Sequence, residues 1–299
     1  MRRVLAFFLP VLLLSGCATT SPKHAAPSPA KSVPGTTAAV DSVPADDSLN
    51  ATVWAQTSVE HDLIYREIYR VAQEKLAGAV AHKSWDALPF DERNKAAADL
   101  PPAIILDVDE TVLDNSPNQA RLIRDGREFD EFSWSQWCKQ AIAKPLPGAL
   151  QFTRYAAAHG VAVFYLTNRN QDLNAVTLKN LRDDGFPVAG DDRFLGLGVY
   201  SKDCEQIGSS KSCRRRSIAQ HYRVLMQFGD QIGDFVDVIA NTPAGRRTAV
   251  QPYLDWLGDR WFVFPNPVYG SWEPALFNND WTLSRPDRRA KKRAALSTN

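Results

Sequence analysis

The sequence predicts an α/β fold in which a Rossmann-like parallel sheet carries helices on both faces. Mostly apolar runs of four to six residues, bounded by Pro, Gly or polar residues, match buried strands at residues 103–106, 161–166, 224–228 and 261–264. Segments with helical spacing separate these runs, and alternating strands and helices favour parallel βαβ units. A chain of 299 residues, of which 44% are hydrophobic, is long enough to bury one sizeable core.

The first 16 residues are predicted to form a secretory signal peptide. Two arginines precede the apolar run 4–14, which is shorter than the ~20 residues that a membrane-spanning helix needs. The string Leu14-Ser15-Gly16-Cys17 resembles a bacterial lipobox. That resemblance implies that Cys17 is lipidated and that the mature chain is an outer membrane lipoprotein, facing the periplasm or the surface. An ordinary cleaved signal with an incidental cysteine is the alternative.

Residues 17–50 are predicted to be a disordered tether, because a segment of Ala, Pro, Ser and Thr cannot bury enough apolar surface to offset its ordering entropy. The folded domain is predicted to span residues 51–284, and a basic tail follows at 285–299. We expect this tail to be solvated, and contact with anionic lipid is the alternative.

The chain before the first strand is predicted to be largely helical. Apolar residues recur at helical spacing from Ala51 to about His82, which predicts a long amphipathic helix packed on the domain, or alternatively a coiled-coil or partner helix. A second, charged helix is expected over residues 86–100. Further helices are predicted at residues 147–160, 172–184 and 212–222, with a short strand at 194–197.

The first strand stops at two carboxylates, Asp107 and Asp109. They lie at the carboxyl end of a parallel strand, where open α/β sheets place their ligand sites. Two acids so close repel each other unless a cation or a proton lies between them, which suggests a magnesium-sized ion held by oxygen atoms. A strand followed by an Asp-rich turn without function is the alternative.

The later strands are followed by residue types that phosphoryl transfer needs. They are Thr167, Asn168 and Arg169 after the second run, Lys211 at the start of a helix, and Asp230 with Asp234 after the third run. A hydroxyl and a guanidinium can bind phosphate oxygens, and an ammonium beside a helix N-terminus favours an oxyanion. We therefore expect all these groups at one edge of the sheet.

The pattern Asp-x-Asp-x-Thr at residues 107–111 resembles the first motif of the haloacid dehalogenase (HAD) superfamily, so that a HAD-like fold is expected. The longer string at 107–117 resembles the class C acid phosphatases, the outer-membrane lipoprotein e(P4)-like enzymes. The string at 265–272 looks like a further motif of that branch. In this superfamily the segment at about 119–145 holds the cap, which is expected to be small and helical. Asn118 stands where relatives often have Tyr.

The resemblance implies an enzyme, a phosphomonoesterase that forms an aspartyl phosphate. Asp107 is then the nucleophile, and Asp109 protonates the leaving alcohol before it activates water. Thr167 and Lys211 hold the transferring phosphoryl oxygens. A non-enzymatic lipoprotein that uses the sheet as a scaffold for surface binding is the alternative.

The resemblance also implies Mg²⁺ as the cofactor. Its predicted ligands are the Asp107 side chain, the Asp109 backbone carbonyl, Asp230, and water ordered by Asp234. Substrates expected from relatives are nucleoside 5′-monophosphates and aryl phosphates. Trp134 and Tyr269 are the predicted stacking pair, and Asn168 and Arg169 are further substrate-binding candidates. For Trp137 and Phe132, core packing is equally expected.

Charge and cysteine content limit the partners. The net charge of +1 gives no electrostatic case for nucleic acid, and relatives leave a homodimer open. In an exported chain the pair separated by the short polar loop, Cys204 and Cys213, is the best candidate for a disulfide. The basic segment 204–216 is expected to be a solvated loop, with a phosphate contact as the alternative.

Overall fold

The computed structural model describes residues 47–93, 95–199 and 204–298. Its described strands are β1 (Pro102–Leu106), β2 (Leu113–Asp114), β3 (Lys144–Pro145), β4 (Ala162–Asn170), β5 (Phe194–Leu197), β6 (Arg223–Gly229) and β7 (Trp261–Val263). Five of these form one sheet in the order β5-β4-β1-β6-β7, and every neighbouring pair is parallel. The predicted α/β sheet and its four main strands are therefore confirmed.

Helices cover both faces of the sheet. In the described chain they are α1 (Leu49–Thr57), α2 (Val59–Ala81), α3 (Ser116–Arg124), α4 (Glu131–Gln140), α5 (Ala149–Ala158), α6 (Asn174–Asp183), α7 (Ser212–Ala219), α8 (Pro243–Val250) and α9 (Arg285–Ala294). Strand β1 sends Ile104 and Leu106 into the core beneath α2 and α5, and Ala103 and Ile105 into the core beneath α7. Burial on both faces explains why these strands are continuously apolar.

The N-terminal helix is broken in two, which corrects the prediction of one helix from Ala51 to His82. Ser58 is extended and caps α2, because its side chain accepts a hydrogen bond from the His61 N–H at 3.0 Å. Helix α2 packs on the domain as expected. The hydroxyls of Tyr65 and Tyr69 donate to the carbonyls of Glu110 and Thr111, at 2.5 and 2.7 Å. The helix thereby fastens the loop that follows β1.

The prediction of a helix over residues 86–100 is wrong, because the described part of this segment consists of turns and irregular chain. Its backbone groups serve other partners. The Ala87 carbonyl accepts from the side chains of Gln227 and Trp261, at 2.6 and 2.8 Å, and the Ala87 N–H donates to Val224 at 2.7 Å. Tertiary contacts therefore override the charged, helix-like composition.

The segment predicted to hold the cap is helical, as expected, and its role as a cap stays a prediction. It consists of α3 and α4 and is closed by the antiparallel pair β2–β3, so that the insertion begins slightly before residue 119. Asp130 caps α4, since its carboxylate accepts from the Ser133 N–H at 2.9 Å.

Most of the basic tail is exposed, as expected, but it forms helix α9 and contacts the rest of the chain. Helix α9 places Arg288 in a buried position, where it forms a two-pronged contact with Glu128 at 2.6 and 2.7 Å. Asp47 binds Arg289 and Lys292, at 2.7 and 3.1 Å. Carboxylates of the domain thus engage these cations.

The predicted signal peptide, the lipidation site Cys17 and most of the tether lie outside the described residues. In the part of the chain that the structure describes, no helix is both long and apolar enough to cross a membrane.

Candidate active site

The carboxyl ends of β1, β4 and β6 bring the predicted residues to one edge of the sheet. Asp107 directly follows β1, and its N–H donates to the Phe228 carbonyl of β6 at 2.9 Å. Thr167 lies three residues before the end of β4, and Asp230 directly follows β6. Sequence-distant side chains thus meet because the strands are parallel neighbours.

Lys211 is buried between two carboxylates at the start of α7. Its ammonium contacts Asp107 Oδ1 and lies 2.7 Å from Asp234 Oδ1, and the residue is 2% exposed. Burial lowers the pKa of an ammonium, but the two carboxylates outweigh it, and the pKa of Lys211 is raised. The site therefore holds a fixed positive charge beside Asp107.

Asp107, Asp230 and Asp234 form the acidic group of the site. One side-chain oxygen from each lies within 4.8 Å of the others. Burial, followed by the charge of Asp234, raises the pKa of Asp230 to about 7. Burial also raises the pKa of Asp107 well above its ordinary value, although Lys211 opposes the shift. Three clustered carboxylates around one lysine fit a hard divalent cation, which prefers oxygen ligands.

Neighbouring side chains orient these acids. Asp230 Oδ2 accepts hydrogen bonds from Gln231 Nε2 at 2.8 Å and from Asn266 Nδ2 at 2.7 Å. Asp234 Oδ2 accepts from the Gln231 N–H at 2.9 Å. Asn266 belongs to the motif at 265–272, which gives that string a physical role: it fixes a candidate metal ligand.

Asp109 is not part of the acidic group, and its side chain pairs with Arg169. Its Oδ1 lies 2.7 Å from Arg169 Nη2, in an ion pair whose arginine side chain is 1% exposed. The predicted metal contact of Asp109 runs through the backbone carbonyl, so that contact stays a prediction.

Thr167, Asn168 and Arg169, near the end of β4, have different environments. Thr167 is buried, and its hydroxyl lies 3.3 Å from Asp109 Oδ2. Asn168 is exposed, and its Oδ1 accepts from Arg214 Nη2 at 2.7 Å. Arg169 is buried with its guanidinium directed at Asp109. Substrate contacts by Asn168 and Arg169 stay predictions, and the Arg169 geometry favours a role through Asp109.

The aromatic candidates differ in how deeply they are buried. Trp134 is half-buried, with its ring 5.3 Å from the Arg169 guanidinium. Tyr269 is half-buried, and its hydroxyl is a buried atom without a hydrogen-bond partner in the described chain. Trp137 is 3% exposed and belongs to the core, whereas Phe132 is 72% exposed on the cap.

The segment at 204–216 is only partly the expected solvated loop: most of residues 204–210 are exposed loop, whereas Arg214 and Arg215 of α7 are both 0% exposed. Arg214 Nη1 donates to the Thr167 carbonyl at 2.6 Å, and burial lowers the pKa of Arg214 to about 10. Arg215 pairs with Glu92. Arg214 therefore holds the backbone of Thr167 and Arg215 holds Glu92, two contacts that composition alone did not reveal.

The disulfide between Cys204 and Cys213 forms as predicted, with Cα atoms 5.0 Å apart. Cys213 lies two residues beyond Lys211, so the disulfide restrains the loop that precedes this lysine. Among the described residues, Cys138 is the free cysteine, and burial raises its pKa to about 12.

The parallel sheet, the small cap and the Asp–Lys–Asp edge together define a haloacid dehalogenase-like domain. The family model described as "HAD superfamily, subfamily IIIB (Acid phosphatase)" matches residues 31–272. The chain belongs to this family.

Similar proteins agree with this assignment. The class C acid phosphatase from Bacillus anthracis aligns with a TM-score of 0.72 and 30% identity, over 84% of this chain and 97% of that one. A structure of the same protein with tungstate bound aligns equally well, at a TM-score of 0.72. Acid phosphatase 1 of Solanum lycopersicum is 26% identical, over 55% of this chain and 57% of its own length. The Stem 31 kDa glycoprotein of Glycine max is 25% identical, over 55% and 58%. The chain therefore spans less than two thirds of these two curated relatives.

Proposed function

We propose that this protein is a magnesium-dependent acid phosphatase that hydrolyses phosphate monoesters through an aspartyl phosphate. One observation carries the proposal: the buried Lys211 lies between Asp107 and Asp234, beside Asp230. An isolated nucleophilic carboxylate repels a phosphate dianion, whereas this arrangement supplies the charges that offset the repulsion.

Asp107, Asp230 and Asp234 are the side chains that would hold Mg²⁺, together with the Asp109 carbonyl. When bound, the ion neutralises phosphoryl oxygens and fixes their orientation. Asn266 and Gln231 orient the Asp230 carboxylate by donating to its Oδ2 at 2.7 and 2.8 Å. The all-oxygen donor set favours a hard ion over softer transition metals, and the choice of Mg²⁺ among hard ions rests on the family resemblance.

The first half of the reaction uses Asp107 and Asp109. A carboxylate oxygen of Asp107 forms a bond to phosphorus, and the bond from phosphorus to the ester oxygen breaks with its electron pair on that oxygen. Asp109 transfers its proton there, so that an alcohol leaves and Asp109 becomes a carboxylate. Lys211 and Thr167 hold the phosphoryl oxygens.

In the second half, water attacks the phosphorus of the aspartyl phosphate while Asp109 takes one of its protons. The bond from phosphorus to the Asp107 oxygen breaks, the electron pair returns to the carboxylate, and phosphate is released. Both catalytic acids thereby regain their starting states. Asp109 favours phosphatase chemistry over dehalogenation, because dehalogenases lack an acid at this position.

Nucleoside 5′-monophosphates and aryl phosphates are the proposed substrates. Asp107, Thr167 and Lys211 bind only the phosphoryl group, so selectivity for the leaving group has to come from other side chains. Trp134 and Tyr269, which are half-buried, are the proposed ones. A flat leaving group can stack on such rings.

The proposed location is the outer membrane, through a lipid on Cys17. This proposal rests on the lipobox-like string and the short apolar run before it. Replacing Cys17 with Ser is expected to release the protein from membrane fractions or to block its maturation. A variant that still fractionates with the outer membrane would exclude lipidation as the anchor.

The activity is tested with an aryl phosphate in the presence of Mg²⁺ and after complete chelation. The proposal expects hydrolysis that is lost with the chelator and restored by Mg²⁺. Undiminished hydrolysis after metal removal contradicts the metal requirement, and a metal-replete protein that is inert toward a broad panel of phosphoesters contradicts the phosphatase assignment.

A further inference from the structure

The Asp109 carboxylate is held asymmetrically. Its Oδ1 accepts from Arg169 Nη2 at 2.7 Å, from Arg169 Nε at 3.0 Å and from Asn115 Nδ2 at 2.8 Å. Its Oδ2 has only longer contacts among the described residues, to Thr167 Oγ1 at 3.3 Å and Arg169 Nε at 3.3 Å. Oδ1 is therefore the anchored oxygen, and Oδ2 is the oxygen left to exchange a proton.

Arg169 is itself immobilised. Its Nη1 donates to Thr177 Oγ1 on α6 at 3.2 Å, and its Nη2 also donates to Asn115 Oδ1 at 3.2 Å. The Trp134 ring of the cap lies 5.3 Å from the guanidinium carbon. A fork fixed in this way can hold a carboxylate in one orientation, which a flexible ammonium cannot do.

Asn115 joins the cap to this arrangement. Trp137 of α4 donates its Nε1–H to Asn115 Oδ1 at 2.7 Å, and both residues are buried, with 3% and 0% exposure. Because Oδ1 accepts from Trp137 and Arg169, the amide nitrogen has to face Asp109. Trp137, the closer of the two donors, thus helps to determine which end of the amide reaches the acid.

We propose that Arg169, Asn115 and Trp137 are positioning residues that let the cap orient Asp109 for proton transfer to the leaving oxygen. The inference rests on the proposed function, in which Asp109 is the acid. It assigns Arg169 to Asp109 instead of to the substrate. It also gives the buried Trp137 a role beyond core packing.

The test is Trp137→Phe, which keeps an aromatic ring and removes the N–H donor. Rates are measured with a series of phosphate esters from nitrophenyl to alkyl, because a poorer leaving group depends more on its acid. The second half of the reaction is the same for every ester, so the quantity compared is kcat/KM, which reports the steps up to departure of the leaving group. Loss of one positioning hydrogen bond is expected to lower kcat/KM for alkyl phosphates by roughly 5- to 10-fold and to change kcat/KM for nitrophenyl phosphate by less than about 2-fold.

Trp85→Phe is the matched control. Trp85 precedes β1 in the sequence. Its Nε1 donates to the Leu225 carbonyl at 2.8 Å, near the start of β6 and away from the carboxyl edge of the sheet. The same chemical change at Trp85 is expected to affect stability without any dependence on the leaving group. If Trp137→Phe behaves like Trp85→Phe across the series, the cap does not position the acid.

Asp109→Asn separates this proposal from the function on which it rests. A steep leaving-group dependence in Asp109→Asn with none in Trp137→Phe overturns the positioning role alone. Equal losses of kcat/KM for all esters in Asp109→Asn overturn the acid itself, because kcat/KM reports only the steps up to departure of the leaving group. If Trp137→Phe does not fold, as judged by circular dichroism, Arg169→Lys serves instead: it keeps the charge, removes the fork, and is expected to show the same selective loss on alkyl esters.

Discussion

Gly229 packs directly against Asp234 at the end of β6. A Cβ built on Gly229 would lie 2.4 Å from the Cβ of Asp234 and 2.2 Å from its Oδ2. The close approach lets the Asp234 carboxylate bridge the Gln231 N–H at 2.9 Å and Lys211 Nζ at 2.7 Å. The glycine therefore shapes the candidate metal site without supplying a ligand.

Gly229→Ala is expected to displace Asp234 and to weaken Mg²⁺ binding about 10- to 100-fold, the usual effect of disturbing groups that orient metal ligands. Magnesium titrations of activity and of thermal stability measure the change. Gly233→Ala is the matched control, because a Cβ there meets nothing within 4 Å. Equal Mg²⁺ affinity in the two variants would show that Gly229 does not constrain the site.

Reduction of the Cys204–Cys213 disulfide is expected to destabilise the domain and to lower activity. The cysteines are 9 residues apart, and closing a loop of this length stabilises a fold by about 2 to 3 kcal/mol. Activity should fall because Cys213 shares the start of α7 with Lys211. Thermal unfolding with and without reductant measures the effect, and Cys138→Ala should respond to reductant as the parent does. An unchanged Tm on reduction would contradict this role.

Without metal, the acidic group should make stability depend on pH. Burial and Asp234 raise the pKa of Asp230 from 3.8 to about 7 in the folded protein, so the folded state binds this proton more tightly than the unfolded chain. The free energy of unfolding should therefore decrease as pH rises from about 4 through about 7. Stabilisation by Mg²⁺ should grow over the same range, because its ligands must be ionised.

Urea unfolding in chelator and in Mg²⁺ across this pH range measures both trends. Asp230→Asn removes the titrating group and should flatten the pH dependence in chelator. Equal stabilisation by Mg²⁺ at both ends of the range would mean that these carboxylates do not hold the ion.

Trp134→Ala should selectively weaken hydrolysis of nucleoside monophosphates relative to glycerol phosphate, since one stacked base contributes roughly 1–3 kcal/mol. The variant also removes a ring beside Arg169, so the diagnostic quantity is the ratio of kcat/KM for the two substrates. Phe132→Ala, an exposed ring on the same helix, should leave that ratio unchanged. Equal losses for both substrates in Trp134→Ala would show that the ring does not select the substrate.

Much of the site followed from the sequence because parallel strands carry their chemistry at one end. The positions after the apolar runs placed Asp107, Thr167 and Asp230 at a common edge without any knowledge of the helices. Lys211 was found from the start of a helix. The end of an apolar run and the start of a helix are local features of the sequence. They predict the structure well because a strand that is buried on both faces must be apolar along its length.

Contacts between distant segments could not be predicted. The buried pair of Arg215 with Glu92 joins the basic segment 204–216 to the charged segment 86–100, which are far apart in the sequence. The folded tail depends on Arg288 meeting Glu128 of the cap. In each case a charge that looks exposed in sequence is paired in three dimensions.

The proposed mechanism requires a phosphoryl group on the Asp107 side chain during turnover. Rapid acid quenching during turnover of a phosphomonoester, followed by peptide mass spectrometry, detects this intermediate. We expect a phosphoryl adduct on Asp107 that forms and decays at the rate of turnover and that is absent, along with activity, in Asp107→Asn. An adduct on another residue, or turnover that persists in a folded Asp107→Asn protein, would exclude Asp107 as the nucleophile.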